Sequence, residues 1–404
     1  MTSSSRAGLH NHEDGMDVAR LTSSLVRLRS ENPPGKTTDV VEYIREFLDS
    51  LGLKCRIVSH PGGRDNLITT KPDPGILLCG HVDVVPAIPD DWTHDPYGGE
   101  IADGYVWGRG ATDMKGGCAA LLIACRDLIE SGVEPKVQLA FVCDEETGGE
   151  HGIRSLLAEN LLLPRDCLIA EPTPPTSPAA GQKGLYRIDL SFRGEPGHSS
   201  LYPMVGKSAI MAAFDLIGYL REVHVHPFPV SEDLQSLIAQ SARIFHEIFG
   251  LEGVDDVLTR VMFNPGRIEG GEKANIVAEQ CRMELDIRVP WGCPLDDLRK
   301  NIAEHAPDAT IHEMDVAEPT LTPVDARVVR TVCREVERVY GRPAVPLLQW
   351  AASDAKYLRT EGFDVVEYGP GEIPTLHAVD ERVSVEQLEK AVDVYRGVIQ
   401  AYSG

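Results

Sequence analysis

The sequence predicts an α/β fold in which a mostly parallel mixed sheet is covered by helices and is interrupted by an inserted α+β domain. Short, uniformly apolar runs alternate with helical segments, as in sheets buried on both faces. A proline-rich stretch at residues 171–178 breaks this alternation. Beyond it, strand-like segments alternate between apolar and polar residues, which is typical of a sheet covered on one face only.

The first part of the chain supplies most of the alternating elements. Helical spacing predicts helices at residues 16–29, 38–51, 114–131 and 152–162. Apolar runs predict strands at residues 54–58, 66–69, 75–79, 137–143 and 167–170. The tripeptide Ala102-Asp103-Gly104 predicts a hairpin turn.

The segment from residue 181 to residue 293 has a different pattern. Alternation predicts strands at residues 185–192 and 281–289, with a long amphipathic helix at residues 207–222 between them. Helix–strand alternation then resumes, at residues 295–304, 325–340, 344–348, 364–368 and 383–402. We therefore expect a catalytic domain formed by residues 1–180 and 294–404, and an inserted ferredoxin-like domain formed by residues 181–293.

Composition excludes several classes of function. The chain has 404 residues, of which 42% are hydrophobic and 25% are charged, as expected of a globular protein. Its net charge of −23 repels phosphate backbones and anionic lipids, so we expect neither nucleic acid nor membrane as a partner. The polar N-terminal segment lacks the features of a secretory signal, which predicts a cytoplasmic protein. The nine cysteines are scattered and predict reduced core residues rather than metal ligands.

Polar side chains follow the predicted strands where the strands end. Ligands of parallel α/β sheets bind beyond the carboxyl ends of the strands, so these side chains predict a site. Each residue alone also has an ordinary structural explanation, such as a helix cap or a solvated loop. Grouped carboxylates repel one another unless cations neutralise them, and two divalent ions fit this set. The candidate metal ligands are His81, Asp113, Glu146, Glu171 and His377.

Three residues near these strand ends have chemistry that suits a particular role. Asp113 is the candidate bridge between the two ions, which zinc, cobalt or manganese would suit. Asp83 is placed to accept the second ring N–H of His81 and so fix its tautomer. Glu145 is suited to take a proton from water and return it to the leaving nitrogen.

At these residues the sequence resembles the M20 family of zinc hydrolases, which includes acetylornithine deacetylase, succinyl-diaminopimelate desuccinylase and several dipeptidases. The matching segments lie at residues 80–86, 108–117, 144–148, 171–173, 197–200 and 377–381. The resemblance implies a zinc-binding α/β domain with an inserted lid domain through which the protein forms a homodimer. Glu171-Pro172-Thr173 and Ser353-Asp354-Ala355 are most similar to the deacetylase and desuccinylase branch.

The resemblance also implies roles for individual residues. One metal ion would bind His81, Asp113 and Glu171, and the other would bind Asp113, Glu146 and His377. His198 in the insert would help to hold the oxyanion in the partner subunit's site. Substrate would bind through Asn275, Arg288 and the turn at Gly369, with a solvated sheet face as the alternative for the first two. Residues 181–185 and 349–352 depart from the desuccinylase pattern, which leaves the acyl group open.

Together these features predict a metal-dependent amidohydrolase that removes the acyl group from a small N-acyl amino acid, with a zinc-bound hydroxide as the attacking group. An M20 dipeptidase or carboxypeptidase would need the same metal ions and is the nearest alternative. A non-catalytic ligand-binding scaffold is an alternative of another class. The presence of both Asp83 and Glu145 favours an enzyme, because a scaffold has no use for a proton shuttle.

Overall fold

The computed structural model describes residues 16–70, 73–163, 165–250 and 252–404, and these residues form two compact units. Unit 1 consists of the described residues up to Pro178, together with Arg330–Val345 and Glu367–Gly404. Unit 2 consists of Ala179–Val329 and Pro346–Val366.

The structure contains the predicted helices and strands and adds others, among them those at residues 232–249, 262–270 and 309–317. The helices are α1 (Val18–Arg27), α2 (Thr38–Ser50), α3 (Gly116–Glu130), α4 (Ile153–Ala158), α5 (Ala209–His224), α6 (Glu232–Phe249), α7 (Val254–Thr259), α8 (Leu295–His305), α9 (Arg327–Tyr340), α10 (Ala355–Thr360) and α11 (Val385–Ser403). The strands are β1 (Cys55–His60), β2 (Arg64–Thr69), β3 (Ile76–His81), β4 (Glu100–Ala102), β5 (Tyr105–Trp107), β6 (Val137–Val142), β7 (Asp166–Ile169), β8 (Ala179–Gln182), β9 (Gly184–Arg193), β10 (Met262–Gly270), β11 (Gln280–Val289), β12 (Ala309–Ala317), β13 (Thr320–Leu321), β14 (Leu347–Gln349), β15 (Asp364–Glu367) and β16 (Arg382–Ser384).

In unit 1, strand β3 lies at the centre of the sheet between β6 and β7. The strands are ordered β1-β2-β6-β3-β7, and β3 runs parallel to both of its neighbours. Every residue of β3 is buried, as expected of a strand covered on both faces. The register pairs His81 with Val142, so the segments that follow β3 and β6 leave the sheet side by side.

Helix α3 packs against α1 and α11, and its start is fixed by a glycine. A Cβ atom on Gly117 would lie 2.3 Å from the carbonyl oxygen of Ala170, which is shorter than any tolerable contact. Only glycine therefore allows the first turn of α3 to approach the end of β7 so closely. This contact brings the loop that precedes α3 next to the residue that follows Ala170.

Unit 2 contains an antiparallel sheet with the strand order β10-β11-β9-β12. The apolar face of β11 packs with β9 and with helices α5 and α8, in a core that includes Leu190, Leu216, Leu285 and Ile302. The polar face of β11 is only partly covered, in agreement with its alternating sequence. A second core in unit 2 joins helix α6 to β14 through Phe245 and Leu348.

The predicted fold class is confirmed: a large mixed sheet with parallel strands is accompanied by a separate antiparallel sheet. The predicted insert at residues 181–293 lies within unit 2, which also contains residues 294–329 and 346–366. This extension has a simple cause, because β12 pairs with β9 and α8 covers the same sheet. The functional division into a catalytic and a lid domain stays a prediction. Among the described residues, no helix has the length and apolar character needed to cross a membrane.

One buried amine in unit 2 makes the stability of the protein depend on pH. Lys183 is 1% exposed, and its Nζ donates to the carbonyl oxygens of Val257 at 2.5 Å and Arg260 at 2.7 Å. Burial, reinforced by the charge of Arg288, lowers the pKa of Lys183 from 10.5 to about 7. Folding therefore favours the neutral amine.

We predict that the free energy of unfolding rises with pH between about 7 and 10.5, since the unfolded chain there holds a proton that the folded protein has released. Relative to Lys183→Met, the wild-type protein should gain up to roughly 1.4 kcal/mol per pH unit in this range. Urea unfolding of both proteins across the range measures this difference. A difference that does not change with pH would show that Lys183 keeps its ordinary pKa.

Candidate metal centre

The first group of predicted ligands gathers at the end of strand β3. The His81 side chain is 1% exposed, and its Nε2 lies 2.9 Å from Oδ1 of Asp113 and 3.6 Å from Oε1 of Glu171. Asp113 stands in the loop before α3, and Glu171 follows β7. The parallel strands and the close approach at Gly117 therefore bring together residues that are distant in sequence.

The second group lies on the other side of Asp113. The Nε2 atom of His377 lies 3.2 Å from Oδ2 of Asp113 and 3.4 Å from Oε2 of Glu146. The two oxygens of the Asp113 carboxylate thus face different histidines, and each histidine has a second carboxylate beside it. His81, Asp113 and Glu146 also offer ligand atoms that all lie within 4.8 Å of one another.

The electrostatics of these side chains show how crowded the carboxylates are. Burial raises the pKa of Glu146 and raises that of Glu171 well above its usual range, although His377 and His81 oppose these shifts. The hydrogen bonds to His377 and His81 overcome the effect of burial on Asp113 and lower its pKa. These two histidines are the cationic partners of the three carboxylates in the ion pairs of this cluster.

The pKa values of both imidazoles are raised. Burial alone would lower the pKa of His81, but the hydrogen bond to Asp113 and the nearby carboxylate charges raise it well above its usual value. Hydrogen bonds to Asp113 and Glu146 raise the pKa of His377 to about 10. The grouped carboxylates therefore favour a positive charge between them.

The donor atoms fit divalent metal ions. Two imidazole nitrogens and three carboxylates are ligands that zinc, cobalt and manganese accept. Oε1 of Glu146 is buried and has no hydrogen-bond partner, which is unfavourable for a carboxylate oxygen unless a cation lies nearby. One histidine and one carboxylate on each side of Asp113 could therefore hold one ion each, with Asp113 between them.

Asp83 lies behind His81, but its contacts differ from those expected. Nδ1 of His81 is 2.9 Å from the main-chain oxygen of Asp83 and 3.6 Å from its carboxylate oxygen Oδ1. The ring N–H is therefore held by the carbonyl, which fixes the same tautomer. The Asp83 carboxylate instead accepts the main-chain N–H groups of Glu145 and Glu146, each at 3.2 Å. It thus anchors the turn that holds both glutamates.

Glu145 lies on this turn, directly after Asp144 and beside the metal-ligand candidate Glu146. Its side chain is half-buried. Its negative charge contributes to the raised pKa of Glu171, after the larger effects of burial and of the neighbouring Asp113. The Glu145 carboxylate is therefore close to the ligand cluster.

The predicted substrate-binding residues of unit 2 fall in two places. His198 and Asn275 are exposed and adjacent, since the N–H of Ser199 donates to the carbonyl oxygen of Asn275 at 3.1 Å. Arg288 lies on the polar face of β11, where its guanidinium donates to both carboxylate oxygens of Asp286, at 2.7 and 3.1 Å.

Gly369, in unit 1, occupies a position with no room for a side chain. A Cβ atom there would lie 2.2 Å from the carbonyl oxygen of Ala170, and the carbonyl of Gly369 accepts the N–H of Thr173 at 3.1 Å. This turn is therefore packed against the segment that leads to Glu171.

The sequence interpretation missed residues that hold the ligands in place. Nδ2 of Asn32 lies 2.9 Å from Oδ2 of Asp83 and 3.1 Å from Oδ1 of Asp144. No local pattern around Asn32 indicates this contact, because its partners are far along the chain. Arg109 and Glu381 form a buried ion pair beside Asp113, and both lie in segments that the resemblance had already singled out.

An α/β unit in which two histidines and three carboxylates cluster beside the end of β3 defines a candidate metal-dependent hydrolase. Residues 77–401 match the family model Peptidase family M20/M25/M40, and the chain belongs to this family. It is 32% identical to the succinyl-diaminopimelate desuccinylase of Cereibacter sphaeroides (strain ATCC 17029 / ATH 2.4.9), with 96% of this chain and 99% of that protein covered.

Solved structures agree with this fold. The M20 family metallo-carboxypeptidase Sso-CP2 from Sulfolobus solfataricus has a TM-score of 0.79 at 20% identity, with 96% of this chain and 100% of that chain covered. The YXEP protein of Bacillus subtilis, described as a dinuclear metal-binding peptidase, has a TM-score of 0.64 at 14% identity, covering 95% and 96%. The predicted family is confirmed, and the desuccinylase relatives support the predicted hydrolase of non-peptide amide bonds.

Proposed function

We propose that the protein is a deacylase that hydrolyses the amide bond of a small N-acyl amino acid, with an N-succinyl diamino acid as the first candidate substrate. The observation that carries this proposal is the Asp113 carboxylate, whose two oxygens face two separate histidine–carboxylate pairs. The desuccinylase named among the relatives supports the choice of substrate class.

The five candidate ligands would hold two divalent ions, for which zinc is the first candidate. His81 and Glu171 would bind one ion, His377 and Glu146 would bind the other, and Asp113 would be shared. Such ions, when bound, lower the pKa of water and polarise the carbonyl group of an amide. The dinuclear site described for the YXEP protein is in accord with this arrangement.

The protein's own side chains would move the proton and place the substrate. Glu145 would take a proton from water and return it to the leaving nitrogen, while Asp83 holds the turn on which Glu145 lies. Asp286 fixes the guanidinium of Arg288, so that Arg288 could present its remaining N–H groups to a substrate carboxylate. Asn275 and the turn at Gly369 would add further contacts to the substrate.

Hydrolysis of a defined substrate panel tests the proposed function. We expect the zinc-loaded or cobalt-loaded protein to hydrolyse N-succinyl-diaminopimelate or N-acetylornithine faster than dipeptides. EDTA should abolish the activity and added zinc should restore it, because the water must be activated by the ions. Faster hydrolysis of dipeptides would identify a peptidase instead. A protein that binds two ions but hydrolyses none of these amides would contradict a catalytic function.

Replacing the proposed proton shuttle should separate catalysis from metal binding. Glu145→Gln should lower kcat by roughly 10²–10⁴-fold, because the amide cannot accept the proton from water. Metal content, measured by elemental analysis, should stay at the wild-type level. Glu150→Gln is the matched control, since Glu150 is exposed on the same loop. Wild-type turnover in Glu145→Gln would remove Glu145 from this role.

We also propose that the protein forms a homodimer through unit 2. An apolar surface follows His198 and continues onto helix α5, with Met204 89% and Phe214 59% exposed. Apolar side chains this exposed are typical of protein–protein interfaces. The apolar lid surface consists of Leu201, Met204, Val205, Ile210, Met211, Phe214 and Ile276. A second subunit covering it would bring His198 into an interface, as expected if His198 serves the partner's site.

Charges placed on the apolar lid surface should prevent this association. We expect light scattering to show a dimer for the wild-type protein and a monomer with reduced kcat for Met211→Glu combined with Phe214→Glu. Ile88→Glu is the control, because Ile88 is 70% exposed in unit 1, away from this surface in the chain. A wild-type monomer with full activity would disprove the proposed dimer.

A further inference from the structure

The carboxylate of Glu381 is buried behind the loop that contains Asp113. Glu381 is fully buried, and its Oε1 accepts the main-chain N–H groups of Gly110, Thr112 and Asp113, each at 3.0 Å. Three N–H groups that converge on one anionic oxygen form a rigid cradle for the loop. The position of Asp113 is therefore tied to a side chain from the C-terminal part of the chain.

Arg109 connects the same carboxylate to the loop of the second histidine. Its Nη1 donates to Oε2 of Glu381 at 2.5 Å, and its Nη2 donates to the carbonyl oxygen of His377 at 3.3 Å. The N–H of Gly108 also donates to the carbonyl of Glu381 at 2.8 Å. One buried ion pair thus joins the segment containing Asp113 to the segment containing His377.

Thr112, which lies between Arg109 and Asp113 in the chain, adds two further contacts between the two segments. Oγ1 of Thr112 donates to the carbonyl oxygen of Arg382 at 2.5 Å and accepts the N–H of Glu372 at 3.1 Å. Every one of these contacts joins residues 108–113 to residues 372–382. Together with the antiparallel pairing of β5 and β16, which places Trp107 opposite Arg382, they fix the separation between the loops that carry Asp113 and His377.

We propose that Glu381 and Arg109 are positioning residues that set the distance between Asp113 and His377, and thereby the affinity of the site for metal ions. This inference rests on the metal site of the proposed function. Neither residue contacts substrate or water in this role; both act through the main chain of the ligand loops. Metal geometry tolerates errors of only about 0.5 Å, so loss of this pair should weaken binding without removing any ligand.

The experiment compares metal binding by Glu381→Ala, Glu381→Gln and Arg109→Lys with binding by the wild-type protein. Calorimetric titration with Co²⁺ gives the affinity, and visible absorption of bound Co²⁺ reports its coordination. We expect affinities about 10–100-fold weaker and an altered spectrum in the three variants, since outer contacts of metal ligands have effects of this size. Glu381→Gln should lose less affinity for Co²⁺ than Glu381→Ala, because the amide oxygen of glutamine can still accept hydrogen bonds from main-chain N–H groups.

Glu386→Gln is the matched control, because Glu386 is an exposed carboxylate near Glu381 in the chain, paired with Lys390 at 2.6 Å. It should bind Co²⁺ as the wild-type protein does. A purely structural role would lower the melting temperature of the metal-free variants but leave the affinity and spectrum of folded protein unchanged, and that result would overturn the proposal. Wild-type protein that binds Co²⁺ but hydrolyses no amide would refute the deacylase alone, whereas wild-type protein that binds no Co²⁺ would refute both.

Discussion

The arrangement of this protein depends on the Asp113 carboxylate, which two histidines approach from opposite sides at 2.9 and 3.2 Å. A buried carboxylate that lies beside two others is unfavourable without cations, as the raised pKa values of Glu146 and Glu171 show. Around this centre, each neighbouring segment is fixed by main-chain contacts. Asp83 holds the turn after β6, and Glu381 holds the loop before α3.

This organisation explains why the candidate ligands come from so many parts of the chain. Parallel strands place the ends of β3, β6 and β7 at one edge of the sheet, which supplies His81, Glu146 and Glu171. Asp113 follows β5 and His377 precedes β16, and the pairing of these two strands in a small antiparallel sheet brings the two loops together. Buried polar contacts beyond the ends of these strands add to their rigidity, and the side chains of Arg109, Thr112 and Glu381 each reach from one loop to the other.

The fold class and the clustering of the candidate ligands were predictable because each rests on a local pattern. Apolar runs located the strands, and polar residues after them pointed to the edge where His81 and Asp113 meet. Helix α6 was not predicted although Ser231 and Gly250 are local signals of its start and end, and strand β12 was not predicted because its partner β9 is distant in sequence. The expected contact between His81 and the Asp83 carboxylate failed for a similar reason: sequence spacing does not distinguish a side-chain acceptor from the neighbouring carbonyl.

Residues 181–185 and 349–352, the two segments that depart from the desuccinylase pattern, contact each other. Gln182 pairs with Gln349 where β8 runs parallel to β14, and the N–H of Lys183 donates to the carbonyl of Gln349 at 3.1 Å. Trp350 packs edge-on against Phe245 of helix α6, with ring centroids 4.3 Å apart. Substitutions at residues in contact are not independent, so these two departures are one argument about the acyl group rather than two.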